Sequence, residues 1–128
     1  MSHFTKLATK LVDADTIKAA LTTMGYSAIA TGKGVKGWQG QRTDAEFKIA
    51  PSGARHEIGF VKSATGYDVV ADWFTMGIDQ RQFLSDLTRE YAITATKATL
   101  ARDGYELREE TANEDGVVRL VLTRYTGM

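Results

Sequence analysis

Residues 79–103 read as one long helix, and no other stretch limits the fold so strongly. Asp79 is placed to cap the first free amides. Gln82, three residues on, supplies the returning half of a capping box, and Ile78 with Phe83 fits a hydrophobic staple. Phe83, Leu84, Leu87, Tyr91, Ala95 and Ala98 follow at helical spacing, while Ile93 and Leu100 fall off that stripe. At 1.5 Å per residue the segment is roughly 37 Å long, enough to cross a small sheet diagonally. Gly104 supplies the left-handed residue that ends it, and Tyr105 is placed to fold back onto Leu100.

An earlier helix stops in the same way. Val12 and Asp13 open it, with Val12 and Ile17 as a staple; Ile17, Ala20, Leu21 and Met24 make its stripe, and Gly25-Tyr26 closes it. The offsets Leu21…Gly25-Tyr26 and Leu100…Gly104-Tyr105 match, and a strand-like stretch follows each. Either a helix–strand unit is repeated, or two helices met the same stopping problem with the same chemistry.

Short strands fill the rest. Ser2–Leu11 alternates weakly, Tyr26–Thr31 is brief, and Ala45–Ala50 places Ala45, Phe47 and Ile49 on one face with Glu46 and Lys48 on the other. Glu57–Lys62 and Tyr67–Phe74 read as a hairpin across Ala64-Thr65-Gly66. After the long helix, Tyr105–Thr111 and Val117–Tyr125 flank Asn113-Glu114-Asp115-Gly116, a strong hairpin turn. Val117–Leu122 is nearly continuous apolar sequence and predicts a central strand. Length and the absence of any linker predict a single domain, 1–128.

The net charge is zero but uneven. Residues 1–62 carry nine Lys/Arg against five Asp/Glu, +4; residues 63–128 carry seven against eleven, −4. A globally basic nucleic-acid binder is disfavoured, and a local basic patch or head-to-tail association stays open. With no Cys, disulfides and thiolate metal sites are excluded. No apolar run approaches twenty residues and the N-terminus lacks a signal-like apolar region, so the expectation is a cytoplasmic protein that neither spans nor enters a membrane.

The most unusual stretch is Gly32-Lys33-Gly34-Val35-Lys36-Gly37-Trp38-Gln39-Gly40-Gln41-Arg42. Residues 32–37 spell Gly-x-Gly-x-x-Gly, but a dinucleotide fingerprint needs a helix to open there and none is signalled. What remains is a loop with three cations, Lys33, Lys36 and Arg42, beside Trp38. It either grips a phosphate or stacks a base, or it is a solvated hairpin whose Trp packs on the sheet. His3 and His56 lack metal-ligand spacing. Glu57, Asp68 and Asp72 are the acidic candidates. Asp68 and Asp72 share a strand face, roughly 13 Å apart; Asp72 and Trp73 either line a pocket with Glu57 or sit on a solvated face. No nucleophile elbow or Walker loop is present, and no cofactor or catalytic set is expected.

Several segments together resemble one family. They are Met1-Ser2-His3-Phe4-Thr5-Lys6, Ala20-Leu21…Gly25-Tyr26, Gly37-Trp38-Gln39-Gly40, Ile58-Gly59-Phe60, Tyr67-Asp68-Val69-Val70-Ala71-Asp72-Trp73 and Gly104-Tyr105. This pattern resembles the hypothetical chloroplast open reading frame thirty-five family of plastids, cyanobacteria, other bacteria and some phages, over nearly the whole chain. The resemblance implies a small domain with a stromal or cytoplasmic home and a AAA+ ATPase as a candidate partner. It implies no reaction and carries over no functional residue.

The expected fold is α+β: one antiparallel or mixed sheet of five to seven strands with two helices on one face, compatible with an elaborated ferredoxin-like arrangement or a more open meander. The leading functional expectation is a non-catalytic protein-interaction or adaptor module using the free sheet face. The alternatives are nucleic-acid or nucleotide binding through loop 32–42, with Lys33, Lys36, Trp38 and Arg42, and an enzyme whose acidic pocket uses Glu57, Asp68 or Asp72 with His56.

Overall fold

A computed structural model describes residues 4–26, 29–31, 33–37, 42–51, 56–73 and 77–124. Strands and helices follow in the order β1 (Thr5–Ala8), α1 (Ala14–Thr23), β2 (Ile29–Thr31), β3 (Val35–Lys36), β4 (Arg42–Thr43), β5 (Phe47–Ile49), β6 (Ile58–Lys62), β7 (Tyr67–Ala71), α2 (Gln80–Arg102), β8 (Tyr105–Ala112) and β9 (Val118–Arg124). The fold is α+β. The main sheet has five antiparallel strands in the order β1-β7-β6-β5-β2, and β3-β4 and β8-β9 form two-stranded sheets of their own. The chain divides into two compact units, Met1–Tyr91 and Ala92–Met128, with the division falling within α2.

The first unit holds the core. In the register Phe47↔Phe60↔Val69 and Ile49↔Ile58↔Ala71, the alternate residues of β5, β6 and β7 share one face. Ile17, Ala20 and Leu21 of α1 and Phe83 and Leu87 of α2 pack against that face, all buried. The rings of Phe47 and Phe60 stack 4.8 Å apart, and Tyr26 and Trp73 both reach Phe83. Fully burying one such side chain is worth about 1.5–3 kcal/mol, so this layer dominates the unit's stability.

The helix signals act as their chemistry requires, with two exceptions. Asp13 caps α1 by accepting from the Thr16 amide at 2.9 Å and from its hydroxyl, and these bonds hold its carboxyl below the usual carboxylate range. Asp79 accepts from the Gln82 amide at 3.0 Å. The Gln82 side chain does not return to the cap, however; it donates to Asp86 at 2.8 Å, which closes only half of the expected box. Val12 stays 65% exposed, so the staple with Ile17 is weak at best. Gly25, at φ 103°, completes a Schellman stop: the Tyr26 amide donates to Leu21 at 2.9 Å and the Gly25 amide to Thr22 at 3.0 Å. At the second stop the Gly104 amide donates to Ala101 at 3.1 Å. The strand after α1 joins the main sheet and the strand after α2 does not. The matching stops are thus shared capping chemistry without a repeated unit.

Three strand expectations are corrected. Val117–Leu122 is not central: Val117 is 61% exposed, and β9 pairs with β8 alone among the described residues. Its apolar run lies on a two-stranded ribbon, which can bury neither face fully. With β1 and β2 at opposite edges and the strands after α2 outside the main sheet, the strand order is not the ferredoxin-like one; only β5-β6-β7 run as a meander. Ala45 does not continue the inward stripe of β5; the alternation breaks, with Ala45 beside Gly59 and Glu46 accepting from the Tyr67 hydroxyl. The first strand is four residues long, shorter than the Ser2–Leu11 stretch that suggested it.

The Tyr67–Glu46 bond sets a pH dependence. The bonded carboxylate, helped by burial, pushes the Tyr67 phenol up to about 12 from its ordinary 10.0. The bond favours the neutral phenol, so its stabilisation is complete below about pH 10 and is lost as pH rises through about 12. Tyr67→Phe is expected to cost about 1 kcal/mol at neutral pH and to flatten the alkaline loss of stability, as read by urea melts at pH 8, 10 and 11.

Candidate functional site

The sheet face opposite the helices is where the sequence-derived candidates meet. Gly59 and Val70 pair on that face, as do Lys48 and Gly59. A Cβ on Gly59 would lie 2.9 Å from Val35 Cγ2 and 2.9 Å from the Ala45 Cβ, so Gly59 leaves the hollow in which β3 rests. Val35 is wholly buried there. Further along, the Phe4 ring lies over Gly37, where a Cβ would come within 2.7 Å of it. The face expected to be bare is therefore covered at its centre by the chain's own hairpin. Lys6, Ala8 and Ala30 remain exposed at its margins.

Glu57 fastens β3 to this surface. Its Oε1 accepts from the Lys36 amide at 2.9 Å and from Lys48 Nζ at 3.1 Å, while Oε2 lies 3.0 Å from the same ammonium. The Glu57 amide donates to the Lys36 carbonyl at 2.9 Å. The pair is largely withdrawn from solvent, at 16% and 13% side-chain exposure, so the carboxylate is committed to holding the hairpin.

With Val35 turned inward, Lys36 turns outward. It pairs directly with Arg42 across β3-β4, and both are exposed. Like charges opposite one another on a ribbon repel. Arg42 is steadied by donating from Nη1 to the Gly34 carbonyl at 3.1 Å, and the Gly34 amide donates to Asp44 at 3.0 Å. Lys33, in the turn before β3, is also exposed. Three of the four loop candidates thus lie on one short hairpin; Trp38 and His3 lie outside the described residues. Five residues after Gly37 the chain is in a strand, Arg42–Thr43.

The acidic candidates differ in burial. Asp72 is wholly buried, Asp68 is half-buried on β7 opposite Val61, and Glu57 belongs to Lys48 and Lys36. His56 is half-buried. Trp73 packs its ring 5.7 Å from Phe83, and its buried Nε1 finds no hydrogen-bond acceptor among the described residues. Asp72 is accordingly a buried residue, and Trp73 is partly buried against the core. Among the described residues no group of three or more His, Asp or Glu is placed to hold a metal, and no helix is long and apolar enough to cross a membrane. The sequence reading missed the hairpin's seat; its one local trace is Gly59 within Ile58-Gly59-Phe60, a strand position with no side chain.

These features define a small α+β chain that carries a cationic hairpin seated on a glycine hollow. The profile of the family described as "Protein of unknown function (DUF1257)" matches residues 20–121, most of the chain, and the chain belongs to that family. It is similar to "Uncharacterized protein ycf35" of Guillardia theta, at 32% identity over 127 residues covering 98% of each chain. The proteins of the same name from Cyanophora paradoxa and Pyropia yezoensis are 28% and 27% identical over the same coverage. The family resemblance read from the sequence is thereby shown. No solved structure matches the chain.

Gly59→Ala is expected to force β3 off the sheet or strain it, costing about 1–3 kcal/mol. Val35→Ala should recover part of that loss in the double variant. Additive losses across the denaturation cycle would mean that the two residues do not share one seat.

Proposed function

We propose that the chain, taken as one module over residues 1–128, is a non-catalytic protein-interaction adaptor. Its docking surface is the outward face of β3-β4 with the exposed margin of the sheet beside it. The observation that carries this reading is the exposed cross-strand pair Lys36–Arg42 on a hairpin whose other face is locked down by Val35 and Glu57. A rigid seat whose cationic outer face pairs with no carboxylate among the described residues suits an acidic segment of a protein partner: the paired strands are ordered beforehand, so little conformational entropy is lost on docking. Cytoplasmic or stromal residence fits this role, and the AAA+ ATPase implied by the family resemblance is the first partner to assay. Glu57, the best-placed carboxylate for acid–base work, is held by two donors, which argues against the enzyme reading.

The same cations favour a second reading, single-stranded nucleic acid, and one titration separates the two. A labelled Asp/Glu-rich peptide and a labelled oligothymidylate are each titrated with the full chain at low salt. The expected result is peptide binding that weakens at least tenfold in Lys36→Glu/Arg42→Glu, with the melting temperature preserved. Tighter binding of the oligonucleotide with a steep salt slope would move the assignment to nucleic acid. Failure of both probes to bind would contradict the hairpin as a docking surface.

A further inference from the structure

The second unit has no core of its own among the described residues. From Ala92 to Arg124 no side chain is buried, and every buried apolar residue among those described lies at or before Leu87. The unit consists of the last turns of α2 and the β8-β9 ribbon. Ala92, Ile93 and Thr96 of the helix face Val118 and Leu120 of β9 across a cavity of about 210 Å³. Lys97 Nζ reaches Glu110 at 2.7 Å, which places the helix on the same ribbon face as Leu120, the partner of Glu110. A two-stranded ribbon on one helix is marginal in water.

The two edges of the ribbon differ. β8 carries Glu106, Arg108, Glu109 and Glu110 and has a register irregularity between Leu107 and Glu109; charge and bulges both blunt an edge. β9 reads Val118-Arg119-Leu120-Val121-Leu122-Thr123-Arg124, has no charge in its middle, and hydrogen-bonds to β8 alone among the described strands. We propose that the outer edge of β9 is a dimerisation edge, paired antiparallel with β9 of a second copy about a two-fold axis through Val121.

The occupant follows from self-complementarity. With the axis at Val121, all seven residues of the strand find partners: Val121 meets Val121, Leu120 meets Leu122, Arg119 meets Thr123 and Val118 meets Arg124. At the centre of the strand apolar side chains oppose apolar ones, only its ends set Val118 against Arg124, and no cation opposes a cation. An axis at Arg119 would set two guanidiniums face to face, and a slip of one residue would mix the helix-covered face with the other. The pairing is isologous, so it closes at two copies. It yields a four-stranded sheet β8-β9-β9-β8, with the Leu120 and Leu122 side chains of both copies forming one continuous stripe. This inference does not rest on the proposed adaptor role, since it involves none of the hairpin residues.

Sedimentation equilibrium of the full chain at tens of micromolar is expected to return twice the 14.0 kDa of one chain. Val121→Lys sets two ammoniums together at the axis and, within each copy, a lysine opposite Glu109, which the ribbon tolerates. It is expected to weaken the dimer at least tenfold while leaving the melting profile of the first unit in place. Because the chain contains no Cys, a single Val121→Cys should cross-link quantitatively on mild oxidation, whereas Thr111→Cys on β8 should not. A mass of one chain throughout the concentration range, or cross-linking of Thr111→Cys as complete as that of Val121→Cys, would overturn the assignment.

Discussion

Phe47 and Phe60 face each other across β5 and β6 with their rings nearly parallel, 10° apart. A strand has a period of two, so this pair fixes where everything else on the main sheet points. On the ring side lie Ile49, Ile58, Val69 and Ala71, and the two helices close over them. On the reverse side, next to Phe60, stands Gly59, the one central position without a side chain. A slip of one residue would turn the rings to the outside and bury Lys48 and Asp68 under the helices, at a cost no other contact in the unit could offset. The inward ring stack and the outward hollow are thus two consequences of a single register.

The hollow explains why a short ribbon such as β3-β4 persists. Two paired residues per strand are far too few to hold a hairpin by backbone bonds alone. Val35 in the Gly59 hollow, the Glu57 clamp on the Lys36 amide and the Phe4 ring over Gly37 supply what the ribbon lacks. The cations are presented because Val35 is held down: in a strand, fixing one residue inward turns its neighbour outward. Among the described residues of the second unit the β8-β9 ribbon has no buried anchor of this kind, and its half-exposed leucines and valines record that difference.

Legibility in the sequence followed the range of the interaction. The helix limits were readable because Asp13, Asp79, Gly25 and Gly104 act on backbone groups within four residues of themselves. The β6-β7 hairpin and the inward set Phe47, Ile49, Ile58 and Phe60 were readable from alternation. The seat of β3 was not, because Val35 and Gly59 meet only after the sheet has formed, and nothing local to Val35 marks it as buried. The apolar run at Val117–Leu122 misled for a related reason: it reports a demand for burial without saying whether the same chain meets it. Of the site, Lys33, Lys36 and Arg42 could be read as one cluster, whereas the buried placement of Asp72 and the capture of Glu57 by Lys48 depended on strand register.

Among the described residues one core, built on one face of the main sheet and reaching Leu87, holds the fold together. Amide hydrogen exchange of the full chain at high dilution measures this directly, since the slowest amides report the last structure to open. Gly59, Phe60, Val69 and Val70 are expected to exchange only through global unfolding, and the amides of Leu120–Leu122 at least a hundredfold faster. Equal protection of the two groups would contradict a single core.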